Sequence, residues 1–425
     1  MRRKSTFVKR AIALAMLVFV PIAAAGTSAA QEEPHDHPTT TTTTTRPGQT
    51  TTTTRPGPTT TTTAPQAPGN PGEQKTTIRY GPYNQQPAVA NPDGSHGHWH
   101  SGNQFAFGIQ KPCTNCYITG MKADLVYPDG TRAGYSTGSQ LHHMVLFNQE
   151  AGKVDATCQT GFPFPLGSLF GQRFFASGDE RTYIKFPKGY GYSVGASGTW
   201  NLIWDLAGMS REAKTVYYQV TYDWVPASAN LKPVEPVWFD VAQCGLSTFR
   251  AEAGPSTRSW SWTVNRPGDI VAIGGHGHDG TINIDIRNDT TNQVICDSRA
   301  RFGESPLYID PEHGDPHLSS MSTCIAAPVA KVTNGQTVTM NAHYNMAKAD
   351  DMQMGIVMAF VGAPLNSAPG SCMRATNTQH AAAGRASVFW FWAWATGSNG
   401  YIGLSSDTTS LREGPTGTWT MVTAC

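Results

Sequence analysis

The chain has 425 residues, with 31 lysines and arginines against 30 aspartates and glutamates, for a formal net charge of +1. The basic residues do not cluster, which argues against the electrostatic footprint of a nucleic-acid-binding protein. Thirteen histidines and eight cysteines carry most of the chemistry to be placed.

Residues 1–30 read as a secretory signal. Arg2, Arg3, Lys4, Lys9 and Arg10 form a basic segment, an apolar stretch follows from Ala11, and Ser28 and Ala30 offer small residues for cleavage. Pro21 interrupts the apolar run, which is short for a membrane span. The chain is therefore expected outside the cell. Residues 31–75 read as a Thr/Pro-rich disordered linker in which Thr-Thr-Thr-Thr-Thr-Arg-Pro-Gly occurs at 41–48 and again at 50–57. Such a segment has little to bury against its chain entropy. It suits an extended stalk that holds the folded part off a cell wall, with His35 and His37 solvated along it.

The remainder is expected to form two β-domains, 76–228 and 236–365, and an extension over 366–425, with the boundary at the Pro-rich stretch Val225–Pro236. Helical periodicity is scarce. Short β-branched and aromatic runs recur instead, such as Thr215–Trp224, Ile270–Ile273, Ile282–Ile286 and Gly355–Phe360, between Gly, Pro, Asn and Asp turns. This pattern predicts an all-β fold of sandwiches or barrels. Asp129-Gly130 and Asn334-Gly335 read as hairpin turns. All eight cysteines lie beyond the linker, and an even count in an exported chain predicts disulfides. Cys113 and Cys116 form a lone C-x-x-C, read as a structural bridge rather than a redox or zinc motif.

Four histidine groups matter. His96, His98 and His100 alternate and so share a face if the segment is a strand; a flexible polar segment fits them equally. His142 and His143 are adjacent, and reach one ion only if their strand ends, twists or bulges. His276 and His278 alternate on one strand face, and Met352 in Asp350-Asp351-Met352-Gln353-Met354 adds a thioether. Two imidazoles and a thioether suit copper, above all Cu(I). Asp279 falls on the opposite face, His313 and His317 sit in a Pro/Gly-rich loop as poor candidates, and His343 is an outer support for Met352. The aromatic run Val388–Trp394 faces both ways and is expected to pack in a core rather than bind sugar.

Taken in order, the motifs His142-His143-Met144-x-Leu146-Phe147, Pro187-Lys-Gly-x-Gly-x-x-Val-Gly195, His276-x-His278 and Asp350-Asp351-Met352 with Met358 are similar to those of the copper type II, ascorbate-dependent monooxygenases. That is the family of peptidylglycine alpha-hydroxylating and dopamine beta-monooxygenases, and the resemblance spans roughly residues 140–372. It implies two tandem jelly-roll β-sandwiches, an ascorbate-like reductant and hydroxylation of an aliphatic C–H. By resemblance, His142 and His143 serve an electron-transfer copper, while His276, His278 and Met352 hold the oxygen-binding copper. The third histidine of the first site is missing: Leu206 stands at its place with Asp205 beside it, so one copper is expected and the second site is incomplete. Asp205 or the 96–100 cluster are the substitutes at hand. The resemblance also implies a Cys244–Cys372 bridge, with Cys296–Cys324 as a local pair. The substrate it leaves open is a small molecule or a peptide. The alternatives are a non-catalytic copper-binding redox protein and a cell-surface β-sandwich that binds glycan or protein.

Overall fold

A computed structural model describes residues 69–89, 98–150, 153–158, 171–245, 247–363, 372–414 and 419–425. The signal segment, nearly all of the linker, and His35, His37 and His96 lie outside the described residues.

The first half comprises β1 (Gln74–Gln85), β2 (Trp99–His100), β3 (Gln104–Ile109), β4 (Cys116–Val126), β5 (Gln140–Asn148), β6 (Gln172–Ser177), β7 (Ile184–Lys185), β8 (Tyr190–Val194), β9 (Trp200–Gly208), β10 (Lys214–Pro226) and β11 (Lys232–Asp240). The second comprises β12 (Phe249–Ala251), β13 (Gly254–Thr263), β14 (Gly268–Gly277), β15 (Thr281–Asn288), β16 (Gln293–Phe302), β17 (Leu318–Met321), β18 (Thr323–Val332), β19 (Thr337–Met346), β20 (Asp350–Gln353) and β21 (Gly355–Gly362). The all-β expectation holds, and Thr215–Trp224, Ile270–Ile273, Ile282–Ile286 and Gly355–Phe360 each lie in a strand.

One nine-stranded sheet runs through both halves in the order β1-β10-β4-β8-β11-β21-β14-β18, with β7 on β4. A sheet of β9, β5 and β6 with β2 and β3 covers its first part, and the sheet β13-β19-β15-β16-β17 covers its second. The Pro-rich boundary thus resolves into β11, which pairs with β8 of the first half and β21 of the second. Strand β21 is buried on both faces: Val357, Ala359 and Val361 join the second core, while Ile356, Met358 and Phe360 join the first. An apolar face of this kind explains why Gly355–Phe360 reads as a continuous hydrophobic run.

Several expectations need correction. The fold begins within the expected linker: β1 starts at Gln74, and the side chain of buried Asn70 accepts from Gly189 N. Asp129-Gly130 closes a tight antiparallel turn, bridging Val126 to Arg132. Asn334-Gly335 also turns, but it joins β18 and β19, which lie in different sheets, so no hairpin forms there. The bridges are Cys113–Cys116, Cys158–Cys244, Cys296–Cys324 and Cys372–Cys425. Cys244–Cys372 is therefore wrong: Cys244 closes onto the 153–158 loop, and Cys372 staples the C-terminal module to its own end.

That module holds two three-stranded sheets, built from β22 (Cys372–Thr376), β26 (Thr408–Glu413) and β27 (Trp419–Val422), and from β23 (Ala386–Phe389), β24 (Trp392–Ala395) and β25 (Tyr401–Leu404), with one short helix, α1 (Asn377–Ala382). The aromatic run is a hairpin, not a strand. It turns at Trp390, whose φ is 56°, and puts Phe389, Trp390 and Phe391 at 66, 75 and 66% exposure. Core packing fails here because the chain reverses in the middle of the run, and the module is too small to enclose both hairpin faces.

Candidate metal centre

The centre lies where both halves meet, and a bulge in β5 makes it. Strand β5 pairs with β9 in a register that shifts between Gln140 and His143. Leu141 and Met144 both enter the first core although they are three apart, so the two residues between them lie on the side away from it. The condition for the adjacent pair is met, and the His142 and His143 rings sit 5.1 Å apart. His276 is the penultimate residue of β14, and His278 lies just past its end. The His278 ring is 4.4 Å from that of His142 and 5.3 Å from that of His276. The two histidine pairs thus form one cluster across the interface.

His142, His143 and His278 each offer a ligand atom within 4.8 Å of the other two, and His100, His142 and Asp205 do the same. The rings are held from behind. His142 Nδ1 lies 3.1 Å from Asp205 Oδ2, His276 Nδ1 lies 3.0 Å from Glu180 Oε2, and His143 Nε2 lies 2.9 Å from Asn103 Oδ1. His278 donates to the backbone of Met352. These acceptors place the proton on the rear nitrogen and leave the front lone pair available, as in metal-ligating histidines. The front atoms His143 Nδ1, His276 Nε2 and His278 Nε2 are buried without a hydrogen-bond partner, as is His100 Nδ1. Buried polar atoms are seldom left unpaired, and a metal ion is one ordinary reason.

The electrostatics suit neutral ligands. Burial, with the charge of His142 second, pushes His143 down to about 3 and His100 down to about 4. Burial and the neighbouring His142, His276 and His143 hold His278 well below its ordinary value. Burial works against the charge of Asp205, but its hydrogen bond to His142 and the nearby histidines hold it well below the usual carboxylate range.

Placement departs from expectation in instructive ways. Leu206 is packed in the first core, so a histidine there would face away from the cluster. Asp205 beside it is the residue of β9 that turns toward His142. The 96–100 group contributes through His100, 5.0 Å ring to ring from His142. His343 bonds Thr257 and Asp285 instead of supporting Met352. Met352 lies on β20 against the end of β14: the side chain of its neighbour Gln353 takes His278 N at 3.3 Å and gives a bond to Asp279 O at 2.8 Å. His317, read as a poor candidate, is half-buried, bonds Asp279 Oδ2 at 2.5 Å and stacks on Tyr135 at 3.7 Å. Glu180 and Asn103 were missed altogether, because a single buried acceptor leaves no spacing signal.

Gly178 shows how closely the shell is fitted. A Cβ there would fall 2.4 Å from His276 Cε1 and 2.8 Å from both Glu180 Oε2 and His142 O. Gly178→Ala is therefore expected to displace the His276 ring, weaken metal binding about tenfold, the scale of lost outer supports, and lower the melting temperature, because the contact with the backbone oxygen of His142 cannot be relieved by a side-chain shift. Competition against a Cu(I) chelator and a thermal melt check both halves of this statement.

Residues 236–363 match the family model described as Stress up-regulated Nod 19. The chain is similar to the protein named "Probable copper-dependent oxygenase M1" of Phoma sp. (strain ATCC 20986 / MF5453), at 28% identity over 275 residues, 60% of this chain and 65% of that protein. It thus spans a little under two thirds of that relative's length. It is also similar to "Probable copper-dependent oxygenase clz3" of Cochliobolus lunatus, at 27% identity over 263 residues, 57% of this chain and 78% of that protein. Among solved structures, PNGase F, a glycosylasparaginase from Flavobacterium meningosepticum, overlaps 67% of this chain and 96% of its own at 12% identity with a TM-score of 0.33, too low to bear on function.

Proposed function

We propose that the chain is an exported copper-dependent oxygenase whose ion is held by His142, His143 and His278, with His276 beside them and Met352 as the soft donor. The observation that carries this is the convergence of buried, rear-anchored imidazoles from both halves of the molecule. The copper-dependent names of the two relatives support it. Neutral imidazoles and a thioether favour copper over calcium, magnesium or zinc. When bound, copper supplies reduction of dioxygen and attack on a C–H bond, drawing electrons from an ascorbate-like reductant.

The residues have separable tasks. Asp205, Glu180 and Asn103 fix ring tautomers and orientation. The bulge of β5 brings His142 and His143 to one side. Burial of His142, His143 and His276 keeps bulk water from their imidazoles. The substrate is a small molecule or a peptide, and the Thr/Pro-rich stalk suits association of the folded part with a cell wall. The test is metal analysis after copper loading and dialysis, with oxygen uptake in the presence of ascorbate. The expected result is one tightly held copper per chain and reductant-dependent oxygen uptake; a chain that retains no copper overturns the reading.

A further inference from the structure

Beside the histidines, a narrow crevice opens between the two halves, about 50 Å³ within and open to solvent at its mouth. Val145, Phe147, Ile203 and Trp238 line it from the first half, and Met354 and Ile356 from the second. His143 and His276 also line it, and their unpartnered nitrogens are Nδ1 and Nε2. The other polar side chains on its wall are held by the protein itself. Asn103 Oδ1 takes His143, Ser177 Oγ donates to Gly178 O, and Ser247 Oγ donates to Asp240. Among the described residues, Arg173 is the one charged side chain on the wall apart from the histidines. Its guanidinium bonds Asp155 Oδ2 at 2.5 Å and lies over the Trp238 ring at 4.5 Å.

We infer that this crevice binds an uncharged, chain-like apolar molecule, with the carbon to be attacked at the His143–His276 end. This rests on the copper reading above and names the substrate class for that site. A ligand carboxylate or ammonium buried here would meet no free counter-charge, and desolvating an unpaired charge is costly. Apolar contact along walls drawn from both halves supplies the affinity instead. The Arg173–Asp155 pair has already neutralised the cation that an anionic substrate would use.

The test is isothermal titration calorimetry on the full chain, stripped of metal, with 1-octanol, octanoate and octylamine as probes. Octanol is expected to bind more tightly than either charged analogue by about tenfold or more. Ala176 and Val145 are cross-strand partners on the crevice wall. Ala176→Phe, and separately Val145→Phe, should fill the crevice and weaken octanol about tenfold, each variant first shown to be folded by a thermal melt. Failure of octanol to bind, equal or tighter binding of octanoate or octylamine, or octanol affinity untouched in a folded filled variant would each overturn the inference. Should neither variant fold, the contrast among the three probes decides. Copper content of the same preparations separates the two claims: octanol binding without copper uptake strikes only the oxygenase reading, and copper uptake without octanol binding strikes only this one.

Discussion

Replacing His278 with alanine is expected to lower copper affinity by about 100-fold or more, beyond the 10–100-fold typical of losing an outer support. At about 1.4 kcal/mol per tenfold, that is roughly 3 kcal/mol of binding free energy. His278 is the sharpest choice of the three proposed ligands. It lies past the end of β14, and its ring bonds the backbone of Met352 from behind and no buried charge. His142, by contrast, is paired with the buried carboxylate of Asp205 at 3.1 Å, so its removal would also strand a charge. His278→Ala should therefore separate metal affinity from folding. Competition against a Cu(I) chelator at neutral pH measures the loss, and a melt of the metal-free protein checks the fold. His343→Ala is the matched control, because His343 is bonded to Thr257 and Asp285 on another sheet. It should leave copper affinity unchanged.

The second large effect is on stability. Asp155→Ala is expected to cost about 3–5 kcal/mol, the scale for breaking a buried ion pair by removing one partner. Asp155 and Arg173 are both nearly inaccessible and meet at 2.5 Å. The carboxylate also accepts from Thr157 N at 3.0 Å and Cys158 N at 3.1 Å. This loop fastens the halves together: Thr157 Oγ1 donates to Trp238 O, Asn265 donates to Ala156 O, and Cys158 is bridged to Cys244. Burial alone would raise the Asp155 pKa, but the charge and hydrogen bond of Arg173, with the two backbone donors, hold it below its usual value. A group depressed on folding contributes its stability above its unfolded pKa, and that contribution is lost as pH falls through the folded value. The wild type should therefore lose stability on acidification below about pH 4. Asp155→Asn should show a flatter dependence there. Urea denaturation at pH 7 and at pH 3 measures both, and equal slopes in the two proteins would contradict this account.

Much of the fold was legible because its cause is local. Val, Ile, Thr and aromatic runs between Gly and Asn turns have few alternatives to strands. The continuous apolar run at Gly355–Phe360 signals a strand covered on both faces. Hidden from the sequence were relations set by distant pairing. The turn at Asn334-Gly335 obeys its local chemistry, yet the strands it joins choose different sheets. The hairpin at Trp390 breaks an aromatic run whose composition alone suggests one continuous strand.

The centre divides in the same way. Histidines at 142, 143, 276 and 278 stand out by residue type and spacing. Their assembly into one cluster depends on the bulge between Gln140 and His143, where no glycine or proline marks a bulge. Asp205 reads from the sequence as a substitute beside Leu206, and the one-residue difference matters because β9 alternates between core and cluster. Glu180 reaches His276 from 96 positions away, a relation only the folded chain contains.

The central claim is that imidazoles from both halves hold one copper ion. Electron paramagnetic resonance of the cupric protein, with nitrogen couplings resolved by pulsed methods, tests it most directly. The account predicts a single copper species coupled to at least three imidazole nitrogens in the wild type, with one coupling lost in His143→Ala and one lost in His278→Ala. Two copper species, one altered only by His143→Ala and the other only by His278→Ala, would contradict it.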